Sequence, residues 1–290
     1  FQAEDGIRDS VASRGLGDVY KRQAGYKIVA HMMPGLPTMT PEGDIKDFET
    51  LFEDPRFKPD MLKIYPSLIL KDTPLYDEYK DGKYAPYSDE DMLNVLTEVK
   101  KMVPKWVRIM RVQREIAPVE IVAGPKMGNL RQIIHENLAK QGFSCKCIRC
   151  REAGLAKKKV LEDELKMERI DYEASEGNEV FLSYNDSEDL TYGFLRLRKP
   201  SKKAHRKEIS PDVAIVRELH VFGKAIEIGA HDEDSFQHLG LGKKLMKSAE
   251  GIAKNEFGVK KLLVISAIGT REYYQKLGYK IYGPYMAKEL

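Results

Sequence analysis

The sequence predicts an α/β domain followed by an α+β domain. In the first half, short apolar runs alternate with stretches of helical periodicity, which is the pattern of parallel βαβ units. In the second half, strands of alternating polarity are separated by turn residues, which indicates an antiparallel meander. A glycine turn then leads directly into an amphipathic helix, and this arrangement can hold a pyrophosphate group.

Composition limits the classes of function. The chain has 290 residues and a net charge of only +3, so a nucleic-acid partner would have to meet a local basic patch. Three cysteines are too few to indicate a disulfide framework, and no apolar run is long enough to cross a bilayer. No secretory signal is visible, so we expect a cytoplasmic protein without a membrane partner.

Residues 1–23 have neither a helical nor a strand period, and so they offer no face to bury. Their sequence resembles translated sequencing-adapter read-through. We therefore predict a non-native segment that takes no part in the fold. An ordinary disordered tail is the alternative.

Residues 24–128 contain three strand–helix units. Three units are too few to close an eight-stranded barrel, so we expect the C-terminal part of such a barrel. The predicted strands are 27–33, 61–65 and 107–112, and the predicted helices are 44–52 and a helix capped at Ser88 that runs to residue 101.

A helix at 129–140 and three closely spaced cysteines make up a predicted linker at 129–165. Three thiolates at Cys145, Cys147 and Cys150 suit a zinc ion with a fourth ligand from elsewhere, for which His135 is the candidate. Reduced thiols with a structural role are the alternative.

Residues 166–290 form the second predicted domain. Its predicted elements are strands 168–174, 179–184, 192–198 and 213–221, the glycine turn and its helix, strand 261–266, a short helix at 269–278 and two strands around residues 283–284.

The glycine turn occupies residues 237–242. Glycines let several backbone amides point into one concavity beside a helix N-terminus, although two glycines are also common at ordinary helix starts. The pattern resembles the coenzyme A loop of GCN5-related acetyltransferases (GNAT), as does the element order. The residues predicted to bind the coenzyme here are Gln237, His238, Leu239, Gly240, Leu241, Gly242 and Lys243.

Acyl transfer from a thioester needs a proton donor near the sulfur, and Tyr273 or Tyr274 can supply a phenol. Both could instead be core tyrosines. In the GNAT order, the strand that ends with Glu218, Leu219, His220 and Val221 lies where two strands splay apart. We therefore expect its backbone to bind the pantetheine arm. Strand alternation places Glu218 and His220 on one face, where either residue could simply be exposed.

A more specific resemblance rests on several stretches taken together. These are 29–37 (VAHMMPGLP), 62–66 (LKIYP), 111–116 (RVQREI), the cysteine triplet, 215–221 (IVRELHV), 236–242 (FQHLGLG) and 268–274 (IGTREYY). From about residue 24 to the end, the chain resembles the family of the Elongator catalytic subunit in its archaeal single-chain form. The resemblance implies a radical S-adenosylmethionine (SAM) barrel joined to a GNAT domain.

The same resemblance implies carboxymethylation of the wobble uridine of tRNA. A [4Fe–4S] cluster would cleave SAM, the resulting radical would act on the methyl group of acetyl-CoA, and hydrolysis of the thioester would leave the carboxymethyl group. The family's cluster cysteines belong to the front of the barrel and have no counterpart here, so we expect SAM and the cluster only in the full-length protein. Other Elongator-type subunits are possible partners.

RNA contact requires basic side chains for phosphate groups. We assign this role to Lys63, Arg111 and Arg114, near His31 and Tyr65, with solvated or capping positions as the alternative. Further charge could come from residues 157–159, Arg196, Arg198, Lys199, Lys202, Lys203 and Arg206.

Two rival functions remain open from the sequence. A protein lysine acetyltransferase would need a carboxylate base near the thioester, for which Glu218 is the candidate. A non-catalytic tRNA-binding fragment would need no base.

Overall fold

The computed structural model describes residues 20–156, 162–222 and 240–290. The chain divides into two compact units. The parallel-sheet unit comprises Val29–Asp54 and Lys58–Cys150, and the antiparallel-sheet unit comprises the residues up to Ile28, Pro55–Phe57 and Arg151–Leu290.

The parallel-sheet unit alternates strands and helices as predicted. Its elements are β1 (Val29–Met32), α1 (Pro41–Glu53), β2 (Met61–Ile64), β3 (Ile69–Leu70), α2 (Pro74–Lys80), α3 (Asp89–Met102), β4 (Arg108–Arg111), β5 (Ile121–Ala123) and α4 (Leu130–Lys140). Strands β1, β2 and β4 form a parallel sheet in that order, which confirms the predicted βαβ arrangement.

Local signals set the helices of this unit. The hydroxyl of Ser88 accepts a hydrogen bond from the backbone N–H of Asp91 and caps α3 where the sequence predicts a cap. The apolar face of α3, including Met92 and Leu96, packs into the core under the sheet. The antiparallel pair of β3 with β5 and the short helix α2 were not predicted.

Two short helices, α5 (Ile148–Arg151) and α6 (Ala153–Ala156), follow the cysteine segment. The remaining elements follow the order expected of a GNAT domain. They are β6 (Lys166–Ala174), β7 (Gly177–Asn185), β8 (Thr191–Lys199), β9 (Val213–Val221), α7 (Leu241–Asn255), β10 (Lys261–Val264), α8 (Arg271–Lys276), β11 (Lys280–Tyr282) and β12 (Tyr285–Glu289). The sheet order is β11-β12-β10-β9-β8-β7-β6. Among the described strands of this sheet, only β9 and β10 pair in parallel.

Helix α7 covers one face of the seven-stranded sheet. Its buried side chains include Leu245, Ala249 and Ile252, as the helical periodicity predicts, whereas Lys243 and Lys247 remain exposed. The amphipathic character of the helix is therefore confirmed, and its N-terminal end lies beside β8 and β9.

The prediction that residues 1–23 offer no face to bury is wrong for Arg22 and Gln23, whereas Tyr20 and Lys21 are exposed. Arg22 and Gln23 are wholly buried in the antiparallel-sheet unit. The side-chain amide of Gln23 donates to the backbone oxygen of Ser175 and to the hydroxyl of Ser201. The partners in these polar contacts are far apart in the sequence, so apolar periodicity within a short segment does not reveal them.

The cysteines and the helix predicted as a linker pack into the parallel-sheet unit. Cys145, Cys147 and Leu138 belong to its apolar core, and the backbone N–H of Ile148 donates to the oxygen of Val107 beside β4. Among the described helices, none has the length and apolar content needed to cross a lipid bilayer.

Candidate acetyl-CoA site

A glycine in the left-handed conformation opens α7. Gly240 has φ of +65°, a value that L-residues rarely adopt, and as the N-cap residue it has no side chain with which to cap the helix. The first-turn amides are therefore available to an anion. Gln237, His238 and Leu239, which belong to the same predicted turn, lie outside the described residues.

The start of α7, the end of β9 and the hydroxyl of Tyr273 converge on Gly242. A Cβ added to Gly242 would lie 2.7 Å from Oη of Tyr273 and 3.7 Å from Cγ2 of Val221. The neighbouring side chain of Leu241 is buried in an apolar cluster, so only its backbone can serve a ligand, whereas Lys243 is exposed.

Strands β9 and β10 separate as the GNAT order predicts. Their pairing runs from Val213 with Lys261 to Val216 with Val264, and the last hydrogen bond joins the N–H of Ile265 to the oxygen of Val216. Beyond this point β9 continues to Val221 along β8 alone, among the strands that the structure describes. Its backbone from 218 to 221 therefore has one edge that no described strand covers, which suits an extended amide chain such as pantetheine.

The two candidate tyrosines occupy different environments. Tyr274 is only 6% exposed and packs in the core against Tyr279, whereas Tyr273 is partly exposed and has its hydroxyl at the start of α7. Burial raises the pKa of Tyr273, and burial together with the nearby Tyr273 raises the pKa of Tyr274 to about 12. Both phenols therefore remain protonated at neutral pH, and the geometry favours Tyr273 as the donor.

Glu218 is held between two cations. Its carboxylate accepts a hydrogen bond from Arg196 at 2.8 Å and another from Lys27 at 3.0 Å. Burial alone would raise the pKa of Glu218, but the charges of Arg196 and Lys27 outweigh it, and the pKa lies below its ordinary value. A carboxylate stabilised in this way is a weak proton acceptor.

The side chain of His220 stacks on Phe194, with ring centroids 5.6 Å apart, and meets Phe222 edge-on at 4.5 Å. This exposed imidazole lies at the end of β9 and completes an aromatic group beside the ion pairs of Glu218.

Arg196 and Arg198 do not supply charge to an RNA surface, contrary to the sequence interpretation. Both are at most 1% exposed, and Arg198 instead shares the carboxylate of Glu179 with Arg217. The hydrogen bonds to Glu179 measure 2.7 Å from Arg198 and 3.0 Å from Arg217. The polar face of this sheet is thus a closed ionic network rather than a solvated surface.

Cys145, Cys147 and Cys150 come together as predicted. Their sulfur atoms all lie within 4.8 Å of one another, and those of Cys147 and Cys150 are 3.4 Å apart. Thiolates about 2.3 Å from one tetrahedral zinc ion would lie roughly 3.8 Å apart. Hydrogen bonds from the other two thiols hold the pKa of Cys147 well below its usual range. The set can therefore hold a metal ion.

The predicted fourth ligand, His135, reaches only part of this set. Its Nε2 lies 3.4 Å from Sγ of Cys150 and 2.9 Å from Nζ of Lys100. Burial lowers the pKa of His135, so the ring is neutral, as a metal ligand must be. An ammonium only donates, so Nε2 accepts from Lys100 and would have to exchange that bond for a metal bond.

Lys100, which was not among the predicted site residues, is wholly buried beside the thiols. Its Nζ lies 3.7 Å from Sγ of Cys150, and no carboxylate pairs with it in the described part of the chain. A buried ammonium without an anion is costly, so thiolate charge is the group that balances it. Leu96 and Val103 both face the core, and Lys100 follows the first at the i+4 position and precedes the second at the i+3 position. Helical periodicity therefore places Lys100 on the same buried face.

The residues assigned to RNA lie on the parallel sheet or beyond its end. His31 pairs in register with Lys63, and Lys63 pairs with Arg111, so three adjacent strands carry one polar row. Tyr65 meets His31 edge-on with centroids 5.7 Å apart. Arg114 follows β4 and lines a separate cavity together with Arg111.

Comparison with protein families supports both halves of this description. Residues 59–140 match the Radical_SAM C-terminal domain, and residues 233–289 match the acetyltransferase (GNAT) domain. The tRNA uridine(34) acetyltransferase of Methanocaldococcus infernus is 49% identical over 276 residues, which cover 93% of this chain and 51% of that protein. Elongator complex protein 3 of Saccharomyces cerevisiae is 45% identical over 274 residues, which cover 93% of this chain and 49% of that protein.

Structural similarity extends over the same region. A solved structure of the archaeal Methanocaldococcus infernus Elp3 with an N-terminal deletion has a TM-score of 0.86 and 47% sequence identity, and the match covers 93% of this chain and 65% of that chain. The chain spans about half the length of the curated relatives that it matches. The chain belongs to the family of the Elongator catalytic subunit and the archaeal tRNA uridine(34) acetyltransferases, and it joins the C-terminal part of a radical-SAM barrel to a GNAT domain.

Proposed function

We propose that this chain contributes the acetyl-CoA-binding part of an enzyme that carboxymethylates C5 of the wobble uridine (U34) of tRNA. The observation that carries this proposal is the convergence of three features at one point. They are the left-handed glycine at the start of α7, the edge of β9 that no described strand covers and the hydroxyl of Tyr273 next to Gly242.

Each feature has a role toward the coenzyme. Amides of the first turn of α7 bind the diphosphate, and the β9 edge from Glu218 to Val221 bonds the pantetheine amides. Tyr273 then holds its proton close to the thioester, because burial raises its pKa. When water attacks the thioester carbonyl, the C–S bond breaks and the phenol of Tyr273 donates its proton to the departing thiolate. The proton that the attacking water loses then restores the phenol.

SAM and an iron–sulfur cluster supply the hydrogen-abstracting radical in radical-SAM chemistry. The cysteine triplet does not suit such a cluster. A four-iron cluster binds its thiolates through separate irons, whereas the sulfur atoms of Cys147 and Cys150 lie only 3.4 Å apart. No step of the reaction is therefore assigned to this triplet.

The triplet instead fits a structural zinc ion. Cys145, Cys147 and Cys150 provide three soft ligands in a mostly buried position, and the imidazole Nε2 of His135 lies 3.4 Å from Sγ of Cys150. Such an ion would fix the segment after α4 against β4, beside the residues assigned to RNA.

The alternative function as a protein lysine acetyltransferase needs a carboxylate base. Glu218 forms ion pairs with Arg196 and Lys27, and its lowered pKa makes it a poor base. The site geometry therefore favours tRNA as the partner over a lysine side chain. A fragment that binds tRNA without turnover is the second candidate, and Elongator-type subunits are candidate partners for either function.

Release of coenzyme A tests this proposal. The protein is incubated with acetyl-CoA and either tRNA or a lysine peptide, and free thiol is measured over time. We expect tRNA to stimulate release, Tyr273→Phe to abolish most of the stimulation, and Tyr274→Phe to retain it. Acetylated peptide would support the lysine acetyltransferase, and tRNA binding without thiol release would support the non-catalytic fragment.

A further inference from the structure

A second cavity, separate from the coenzyme site, lies within the parallel-sheet unit. It has a volume of about 1000 Å³ and lies between the segment that follows β4 and the first turn of α4. Its walls are residues 110–118 and 128–132, together with His135. This volume is in the range of cavities that hold nucleotide-sized ligands.

The charge of the cavity is positive. Three guanidinium groups line it, from Arg111, Arg114 and Arg131, against the single carboxylate of Glu115. Arg111 and Arg114 are exposed, and neither forms an ion pair within the described part of the chain. Like charges in one concavity repel each other, so an anion would stabilise this arrangement.

Arg131 is the fixed member of the three. Its Nη2 donates to the backbone oxygen of Ile109 in β4 at 3.1 Å, which holds the guanidinium in place. Its Nη1 is buried and has no hydrogen-bond partner among the residues that the structure describes. A buried charged donor without an acceptor destabilises the fold, and an acceptor from a ligand would remove that penalty.

The start of α4 adds further donors to the same wall. Asn129 precedes this 11-residue helix without forming a side-chain cap, and Gly128 and Asn129 both line the cavity. The first backbone N–H groups of a helix have no partner within the helix. A tetrahedral anion can accept from these amides and from several guanidinium groups at once, whereas a carboxylate has only two oxygens to offer.

We propose that this cavity binds a phosphate group of the RNA strand, with Arg131 as the anchor and Arg111 and Arg114 as outer contacts. The identity of the strand rests on the proposed function. The phosphate chemistry of the site rests on the cavity alone. A phosphate held here would fix the position of the strand relative to the polar row of His31, Lys63 and Arg111.

Salt dependence of RNA binding tests the proposal. A fluorescent tRNA anticodon stem-loop is titrated with the protein at several salt concentrations, using the unaltered chain, Arg131→Gln and Lys140→Gln. Lys140 is the matched control because it is exposed in the last turn of the same helix and lies outside the cavity. We expect Arg131→Gln to weaken binding for every RNA sequence and to reduce the slope of log K against log salt by about one.

An unchanged slope in Arg131→Gln, with Lys140→Gln as the reference, would overturn the proposal. Unchanged melting and unchanged acetyl-CoA binding of Arg131→Gln would show that the variant is folded.

Inorganic phosphate and ADP distinguish the source of the phosphate. Phosphate binding to the unaltered chain is followed by ³¹P line broadening, which we expect to be lost in Arg131→Gln. If the unaltered chain binds phosphate through Arg131 but does not bind RNA, the site stands and the proposed function fails. If ADP displaces RNA through Arg131 at concentrations well below those at which phosphate does, the ligand is a free nucleotide and the assignment to RNA is overturned.

Discussion

Replacement of Gly242 by alanine should damage the coenzyme site without unfolding the protein. The added Cβ would lie 2.7 Å from Oη of Tyr273, and ordinary van der Waals contact begins at 3.4 Å, so the hydroxyl must move by 3.4 − 2.7 = 0.7 Å. The atom in the way is the far end of a side chain, which can shift. The phenol then leaves the position from which, in our proposal, it meets the thioester.

The expected magnitudes follow from this geometry. Alanine in place of glycine within a helix favours the helix by roughly 0.5–1 kcal/mol, which offsets part of the crowding cost of about 1–3 kcal/mol. The free energy of unfolding should therefore fall by no more than about 2.5 kcal/mol. Loss of one well-placed hydrogen bond is worth about 1 kcal/mol, so acetyl-CoA should bind roughly five- to tenfold more weakly.

Isothermal titration with acetyl-CoA measures this effect, and Gly251→Ala is the control. Gly251 lies in the same helix, and a Cβ added there meets nothing within 4 Å. We expect Gly251→Ala to raise stability by about 0.5–1 kcal/mol and to leave acetyl-CoA affinity unchanged. Acetyl-CoA binding by Gly242→Ala that equals binding by the unaltered chain would refute the placement of Tyr273 at the thioester.

Three further changes test the other parts of the structure. Glu179→Gln leaves Arg198 and its neighbouring guanidinium buried without a carboxylate, so urea titration should show a loss of about 3–5 kcal/mol in the free energy of unfolding. Lys100→Met removes the cation beside the thiols, so competition with a chelator should show 10- to 100-fold weaker zinc binding, whereas Lys101→Met should leave it unchanged. The pKa of Glu218 is lowered, so its ion pairs stabilise the fold at pH values above its ordinary pKa of 4.5, and this stabilisation is lost as the pH falls. In Glu218→Gln, the free energy of unfolding should therefore decrease less between neutral and acid pH than in the unaltered chain.

Each of these three predictions has a contrary result. A Glu179→Gln variant as stable as the unaltered chain would mean that the arginines need no anion. Equal zinc affinity in the Lys100 and Lys101 variants would show that Lys100 does not balance the thiolates. A Glu218→Gln variant that keeps the full acid dependence would place the titrating group elsewhere.

Local sequence signals predicted much of the fold. The hydroxyl of Ser88 and the apolar spacing of Leu245 and Ala249 act within one helix, so the sequence contains all the information needed. The pairing of β3 with β5 joins residues that are more than 50 positions apart, and no local pattern specifies it.

Polar residues with buried partners were the main failure. Arg198 alternates with apolar residues along β8, which is also the pattern of a strand with one solvated face. Only the tertiary contact with Glu179 shows that this face is closed. Gln23 was excluded for the same reason, because its partners at Ser175 and Ser201 lie more than 150 residues away.

The candidate site was predicted in part. Gly240 and Gly242 indicated the helix start, because a turn of positive φ before an amphipathic helix leaves a trace in the sequence. The choice between Tyr273 and Tyr274 needed the structure, since adjacent residues on a short helix point in different directions. Arg131 needed the cavity around it, because one arginine in a helix has no pattern of its own.

Hydrogen–deuterium exchange with and without acetyl-CoA tests the central claim most directly. Bound coenzyme should slow exchange of the backbone amides at the end of β9, residues 218–221, and in the first turn of α7, residues 240–244. It should leave the buried core of α3 unchanged. Protection that is absent from both segments at saturating acetyl-CoA, or that appears only in the parallel-sheet unit, would contradict the account.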